Sequence, residues 1–322
     1  MVSLKKKLLF IIYVLALWGI LGVFTGCNKP STPEIDLSKV EPVTPKNNAS
    51  EKPLKVAISS ITSPSYSRTY YEDLLNYLSR HLHRPVQILQ RRSYAEVNDL
   101  LRARGVDIAF ICTYSYVIGH EEFGLELLAA PQIDGKVTYR AYVITRSDSG
   151  IHNFDGLRDR RFAFTDPMST TGNLYPQYLL KQRGETAESF FRSHFYTYSH
   201  DNSIMAVVEG LADGASIESE IFNYLSREKP HITNQLKIIE RSPEYGMPPV
   251  VVRPDLDEDT KLKVRELLLN MHLDDEGKSI LQRLHIERFV PVDDSHYDGV
   301  RMLARLVRNG VAPDIKENRL AH

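Results

Sequence analysis

Short apolar runs alternate with stretches of helical period along most of this chain. Residues 54–58, 86–89 and 107–111 are apolar runs of strand length. Between them, residues 70–81 and 94–102 space their apolar side chains as a helix face does, with Tyr70, Leu74, Leu75, Tyr77 and Leu78 in the first. Residues 125–130 and 139–145 follow as strands. A second series begins near Gly150, with strands at 162–164, 195–198, 214–217 and 236–239 and helices at 204–211 and 219–226. Residues 248–252 read as one more strand, and 257–271, 276–284 and 296–307 as helices. Strand–helix–strand alternation predicts an α/β fold with largely parallel sheets. The pattern leaves open whether the two α/β units are sequential or nested.

The first residues depart from this pattern. Lys5-Lys6-Lys7 precedes an apolar run over residues 8–23, which is shorter than the roughly 20 residues that a spanning helix needs. Phe24-Thr25-Gly26-Cys27 closes it and resembles a bacterial lipoprotein signal, in which the cysteine is lipidated after cleavage. Residues 1–26 are therefore expected to be a signal peptide and Cys27 a lipid anchor; an uncleaved anchor is the alternative. Either places the rest of the chain outside the cytoplasmic membrane. Residues 27–53 are rich in Pro, Ser, Asn, Lys and Glu and read as a flexible tether.

About 270 residues remain, enough for two ordinary domains. The full chain is 42% hydrophobic and 25% charged, as a globular protein is, and its formal net charge of −1 argues against nucleic acid or an anionic membrane as partner. Of the two cysteines, Cys27 is assigned to the lipid. Cys112 is then alone and expected to be a small buried residue. No Cys/His spacing suggests a metal, and no cofactor is implied.

The densest chemistry lies in Asp166-Pro167-Met168-Ser169-Thr170-Thr171-Gly172-Asn173. Three hydroxyl residues and a glycine stand between the strand at 162–164 and a helix through Lys181. The first turn of a helix has unpaired N–H groups and the positive end of the macrodipole. Hydroxyls there either cap the helix or join those N–H groups in holding an anion. One hydroxyl suffices for a cap. A short turn over residues 169–173 is expected, with the regular helix restarting or kinking near Pro176.

Several stretches, taken in order, resemble the solute-binding proteins of phosphonate, phosphite and phosphate ABC transporters. They are Val106-Asp107-Ile108-Ala109-Phe110, Thr138-Tyr139-Arg140, the 166–172 run, Ser199-His200-Asp201, Ala212-Asp213-Gly214-Ala215, Ser242-Pro243 and Arg288-Phe289-Val290-Pro291-Val292. The likeness extends over residues 54–307. It implies a two-lobed, hinged binding protein of the second periplasmic class, with lobe 1 as residues 54–145 plus 245–322 and lobe 2 as the inserted residues 146–241. By the same resemblance, Ser169, Thr170, Thr171 and His200 hold the oxyanion from lobe 2, and a dianion beside His200 favours its charged ring. Tyr94 and Tyr139 donate phenolic O–H groups from lobe 1. Aminoalkylphosphonate binders of this family add carboxylates for the ligand's amine. Glu220 lies at one such position, with Glu218 close by, whereas the second falls near Gly246-Met247-Pro248, which has no carboxylate. A surface role is the alternative for both glutamates.

The function implied is capture of a phosphorus oxyanion by a monomeric, lipid-anchored protein that delivers it to an ABC permease. The same fold could instead present ligand to a membrane sensor kinase. An exported hydrolase using Ser169, His200 and Asp201 is disfavoured, because adjacent His and Asp do not readily form a relay and no Gly-x-Ser-x-Gly elbow is present.

Overall fold

The computed structural model describes residues 52–62 and 64–309, with the backbone alone for residues 64–70. The expected signal segment 1–26, Cys27 and the tether as far as residue 51 lie outside the described residues. Two separate sheets organise the rest. The first has six strands in the order β13-β4-β12-β3-β1-β2, comprising β1 (Leu54–Ile58), β2 (Val86–Gln90), β3 (Ile108–Phe110), β4 (Glu126–Gln132), β12 (Val250–Val252) and β13 (Arg288–Val290). The second has five in the order β10-β6-β9-β7-β8, comprising β6 (Ala141–Arg146), β7 (Arg161–Phe164), β8 (Ser193–Tyr196), β9 (Gly214–Glu218) and β10 (Leu236–Arg241). A two-stranded ribbon, β5 (Thr138–Tyr139) with β11 (Tyr245–Gly246), joins the outgoing and returning chain between them.

The sheets are mixed rather than largely parallel. β1 runs parallel to β2 and β3, as helical crossovers demand. β12 is antiparallel to both β3 and β4, because the chain re-enters this sheet from the second one. The second α/β unit is thus nested within the first. The expected boundary after Thr145 moves. All of β6 pairs with β9 and β10, so the first lobe is left before Ala141.

Most elements lie where the pattern predicts, including the helix Tyr94–Arg102. The helix expected over 70–81 starts at Pro64. The helix Thr113–Phe123 has no counterpart in the predicted set. Its buried positions, Thr113, Ser115, Tyr116, Val117 and Gly119, do not form one stripe, so it carries no helical period to read. Packing of β7 matters most for the site. Phe162 stacks on Phe191 with centroids 4.4 Å apart, and Phe154 and Phe190 complete the aromatic cluster beneath the strand. Such rings bury large apolar areas and hold the end of β7 rigidly.

Candidate functional site

The chain leaves β7 through Thr165 and Asp166 and turns at once. Asp166 Oδ1 accepts the Met168 N–H at 2.8 Å, and Ser169 Oγ accepts the Gly172 N–H at 3.0 Å. Residues 170–174 then form one wide turn, in which Leu174 N–H reaches Ser169 O at 2.9 Å, before the α-helix Tyr175–Gln182 begins. The restart near Pro176 is as expected, without a kink, because Pro176 falls in the first helical turn where its missing N–H removes no helical bond. Gly172 is required. A Cβ there would stand 2.3 Å from Thr165 Cβ and Oγ1, while Thr165 N–H donates to Gly172 O at 3.0 Å.

His200 opens the helix His200–Val208 and is fully buried. Its Nδ1 accepts the Glu218 N–H at 3.1 Å, with the Thr165 hydroxyl at 3.2 Å. Nδ1 therefore carries no proton, and the proton of the neutral ring is on Nε2. Burial pushes the ring pKa down to about 3, so His200 is a neutral donor in this structure. Glu218 Oε2 lies 3.8 Å from Nε2, beyond hydrogen-bond range. Burial, assisted by Glu220, pushes the Glu218 carboxyl up to about 8. At neutral pH the two groups are uncharged neighbours, not an ion pair.

The first lobe faces this surface directly. Tyr94 begins its helix, and its N–H donates to Asp166 Oδ2 at 3.1 Å. Thr170 Oγ1 accepts the Tyr114 N–H at 3.0 Å, and Thr170 N–H points to Cys112 Sγ at 3.5 Å. His200 N–H donates to Ile61 O at 3.0 Å. Tyr139 Oη donates to Thr113 Oγ1 at 3.2 Å. Burial holds both phenols, Tyr94 and Tyr139, well above their ordinary pKa, so both keep their protons. Cys112 is buried, as expected, and burial also raises its thiol.

The residues singled out in the sequence thus separate into two groups. Tyr94 Oη, Thr171 Oγ1 and His200 Nε2 are buried and have no hydrogen-bond partner among the described residues. Ser169, Thr170 and Tyr139 are engaged inside the protein, in the turn and across the lobe contact. Glu220 borders an interlobe cavity of about 170 Å³, and its Oε1 accepts the Ser219 hydroxyl at 3.1 Å. A surface role for Glu218 is corrected: it is 5% exposed and lies beside His200. Ser59, at the end of β1, escaped the sequence reading. Its hydroxyl is also buried and unpartnered, and it borders the same cavity. No motif marks it; a serine ending a strand looks like any loop residue.

Buried donors without acceptors are costly and few in folded proteins. Four of them, from both lobes, with no arginine or lysine among them, suit a small oxyanion held by neutral hydrogen-bond donors. The hydrolytic alternative finds no support in this geometry. His200 Nδ1 faces a backbone N–H and a threonine hydroxyl, where a relay needs a carboxylate acceptor.

Comparison with known proteins agrees with this architecture. The family described as ABC transporter, phosphonate, periplasmic substrate-binding protein matches residues 56–297. The phosphonates-binding periplasmic protein of Escherichia coli (strain K12) is 27% identical over 259 residues, covering 79% of this chain and 76% of that protein. The phosphate-import protein PhnD of Mycolicibacterium smegmatis is 26% identical over 273 residues, covering 77% and 84%. In fold, the chain is similar to PhnD1 from Prochlorococcus marinus in complex with methylphosphonate, with a TM-score of 0.73, 21% identity and coverage of 80% and 98%. With the family match running through both sheets and the turn between Thr165 and Tyr175, this chain belongs to the phosphonate ABC-transporter periplasmic substrate-binding protein family.

Proposed function

We propose that this protein captures a small phosphorus oxyanion, of the phosphonate, phosphite or phosphate type, between its lobes and delivers it to an ABC permease. The observation that carries the proposal is the set of buried, unpartnered donors at Tyr94, Thr171 and His200. Three oxygens around one phosphorus present the acceptors these groups lack. Donors from two lobes are satisfied together only when the lobes meet, so binding and closure are coupled through differential contacts. Charge-assisted bonds of this kind contribute roughly 1.5–3 kcal/mol each. The relatives' names support the ligand class, since they include phosphonates and phosphate, and the PhnD1 structure includes methylphosphonate.

Calorimetric titration against methylphosphonate, phosphite, phosphate and sulfate tests the reading. Saturable binding of at least one phosphorus oxyanion is expected, and none would overturn it. The double substitution Ser169→Ala with Thr171→Ala should weaken binding by about tenfold or more; unchanged affinity would exclude the turn. The lipid anchor on Cys27 belongs to the same proposal. Cys27→Ser should release the protein from membranes, and mass spectrometry of the mature N-terminus should find a diacylated cysteine.

A further inference from the structure

We propose that Thr165 is a positioning residue for the oxyanion site: its hydroxyl ends a chain of hydroxyls that holds the His200 ring with Nε2–H presented as a donor. The inference rests on the oxyanion reading above and deepens it.

Thr165 directly follows β7 and is fully buried, as are Ser203 and Ser216. Ser203 stands three residues after His200, so the two share one helix face. Thr165 Oγ1 lies 3.2 Å from His200 Nδ1 and 3.1 Å from Ser203 Oγ, and Ser203 Oγ lies 2.6 Å from Thr197 Oγ1. Each hydroxyl has one proton, and Nδ1 has none, because Glu218 N–H donates to it at 3.1 Å. One direction of donation makes all three contacts. Thr197 donates to Ser203, Ser203 to Thr165, and Thr165 to Nδ1. Ser216 O, also 3.2 Å from Thr165 Oγ1, shares that last proton.

Two consequences follow for His200. A ring turned over would set a carbon against both donors, so the pair fixes which edge faces outward. Donation to Nδ1 also draws electron density from the ring, and hydrogen bonds in a chain polarise one another, which strengthens Nε2–H as a donor. The same strand end locates the turn. Thr165 N–H donates to Gly172 O at 3.0 Å, and the Thr165 side chain fills the space that a Cβ on Gly172 would need. Ser216 Oγ donates to Thr171 O at 2.5 Å. The unpartnered donors Thr171 and His200 are thus set against common neighbours, Thr165 and Ser216, whose own polar atoms are already engaged.

The test combines NMR of the intact protein labelled with 15N-histidine and calorimetric titration with methylphosphonate and phosphate. The His200 signals are those missing from His200→Gln. Thr165→Val keeps the shape beside Gly172 and removes the hydroxyl. It should move the Nδ1 resonance toward that of a ring nitrogen with fewer hydrogen bonds and weaken oxyanion binding about fivefold. Thr165→Ser should restore both. Ser203→Ala, one bond farther along the chain, should shift Nδ1 in the same direction by less. A Thr165→Val protein with lowered melting temperature but an unmoved Nδ1 resonance would overturn the inference, as would a moved resonance with unchanged affinity. If Thr165→Val does not fold, an unmoved Nδ1 in Ser203→Ala overturns it instead. Failure of the parent to bind any phosphorus oxyanion would overturn the oxyanion reading and this inference together, whereas the ring resonance in a parent that binds decides this inference alone.

Discussion

Two helices of the first lobe begin against the second lobe, and they differ in whether they also have a cap of their own. The helix Tyr94–Arg102 supplies its own cap: Ser93 Oγ accepts the Glu96 N–H at 3.3 Å. The helix Thr113–Phe123 begins at Cys112, which makes no side-chain cap bond. Its Tyr114 N–H is instead accepted by Thr170, from the turn of the other lobe. One helix start thus has a cap from its own lobe besides the Tyr94 N–H bond to Asp166, whereas the other has a side-chain partner only across the lobes. The adjacent threonines of the turn divide the work accordingly. Thr170 fastens the lobes together, while Thr171 presents a hydroxyl with no partner among the described residues. A run of hydroxyls that looks uniform in the sequence thus combines a latch with a donor.

That division has measurable consequences. Thr171→Val keeps the shape and removes the unpartnered hydroxyl. Oxyanion affinity should fall by roughly ten- to hundredfold, the loss of one bond to a charged acceptor, with no loss of thermal stability. A variant that binds as well as the parent would move the site away from this turn.

The titrating pair on the second lobe gives the next effect. Glu218 has a folded pKa of about 8, raised by burial above its unfolded value, so its contribution is complete in acid and is lost as pH rises from about 4.5 to 8. His200, depressed to about 3, has the opposite slope: its contribution is complete above pH 6.5 and is lost as pH falls toward 3. Between about pH 4.5 and 6.5 the two slopes cancel. Glu218→Gln should remove about 2 kcal/mol of the alkaline decline between pH 6.5 and 8, measured by urea denaturation across pH. His200→Gln should flatten the acid flank and leave the alkaline one. A decline unaltered by Glu218→Gln would mean that this carboxyl is ionised in the folded protein.

Thr170→Val removes the acceptor for Tyr114 N–H and should open the lobes. Affinity should fall by about fivefold, equivalent to about 1 kcal/mol of closure free energy, and small-angle scattering should report a larger radius of gyration. If affinity falls with no change in scattering, Thr170 contacts the ligand rather than fastening the lobes. The smallest effect belongs to the self-capped helix. Ser93→Ala should lower stability by roughly 0.5–1 kcal/mol and leave closure and affinity unaltered, since its cap lies within one lobe.

Much of the fold was legible from periodicity, because strands and amphipathic helices that bury one face announce themselves in sequence. The helix Thr113–Phe123 did not, since it buries residues on several sides. Nor did β13, whose three residues are too few to show a period. Within the site, Thr171 and His200 lie in recognisable local settings, a crowded helix start and a Ser-capped one. Ser59 and Glu218 have no such setting. Each gains its character from groups brought near by the other lobe or by a neighbouring strand.

Local chemistry alone specified the turn between Thr165 and Tyr175. Asp166, Ser169 and Gly172 each bond to backbone within a few residues, and Gly172 leaves room for Thr165. Such short-range geometry is encoded wherever the residues occur together. What the hydroxyls of that turn do was settled by long-range contact. Whether a threonine caps a helix of the opposite lobe, as Thr170 does, or lacks a partner, as Thr171 does, depends on which atoms fold against it. The protonation of His200 and Glu218 was settled in the same way, because desolvation is a property of the surroundings and not of the residue.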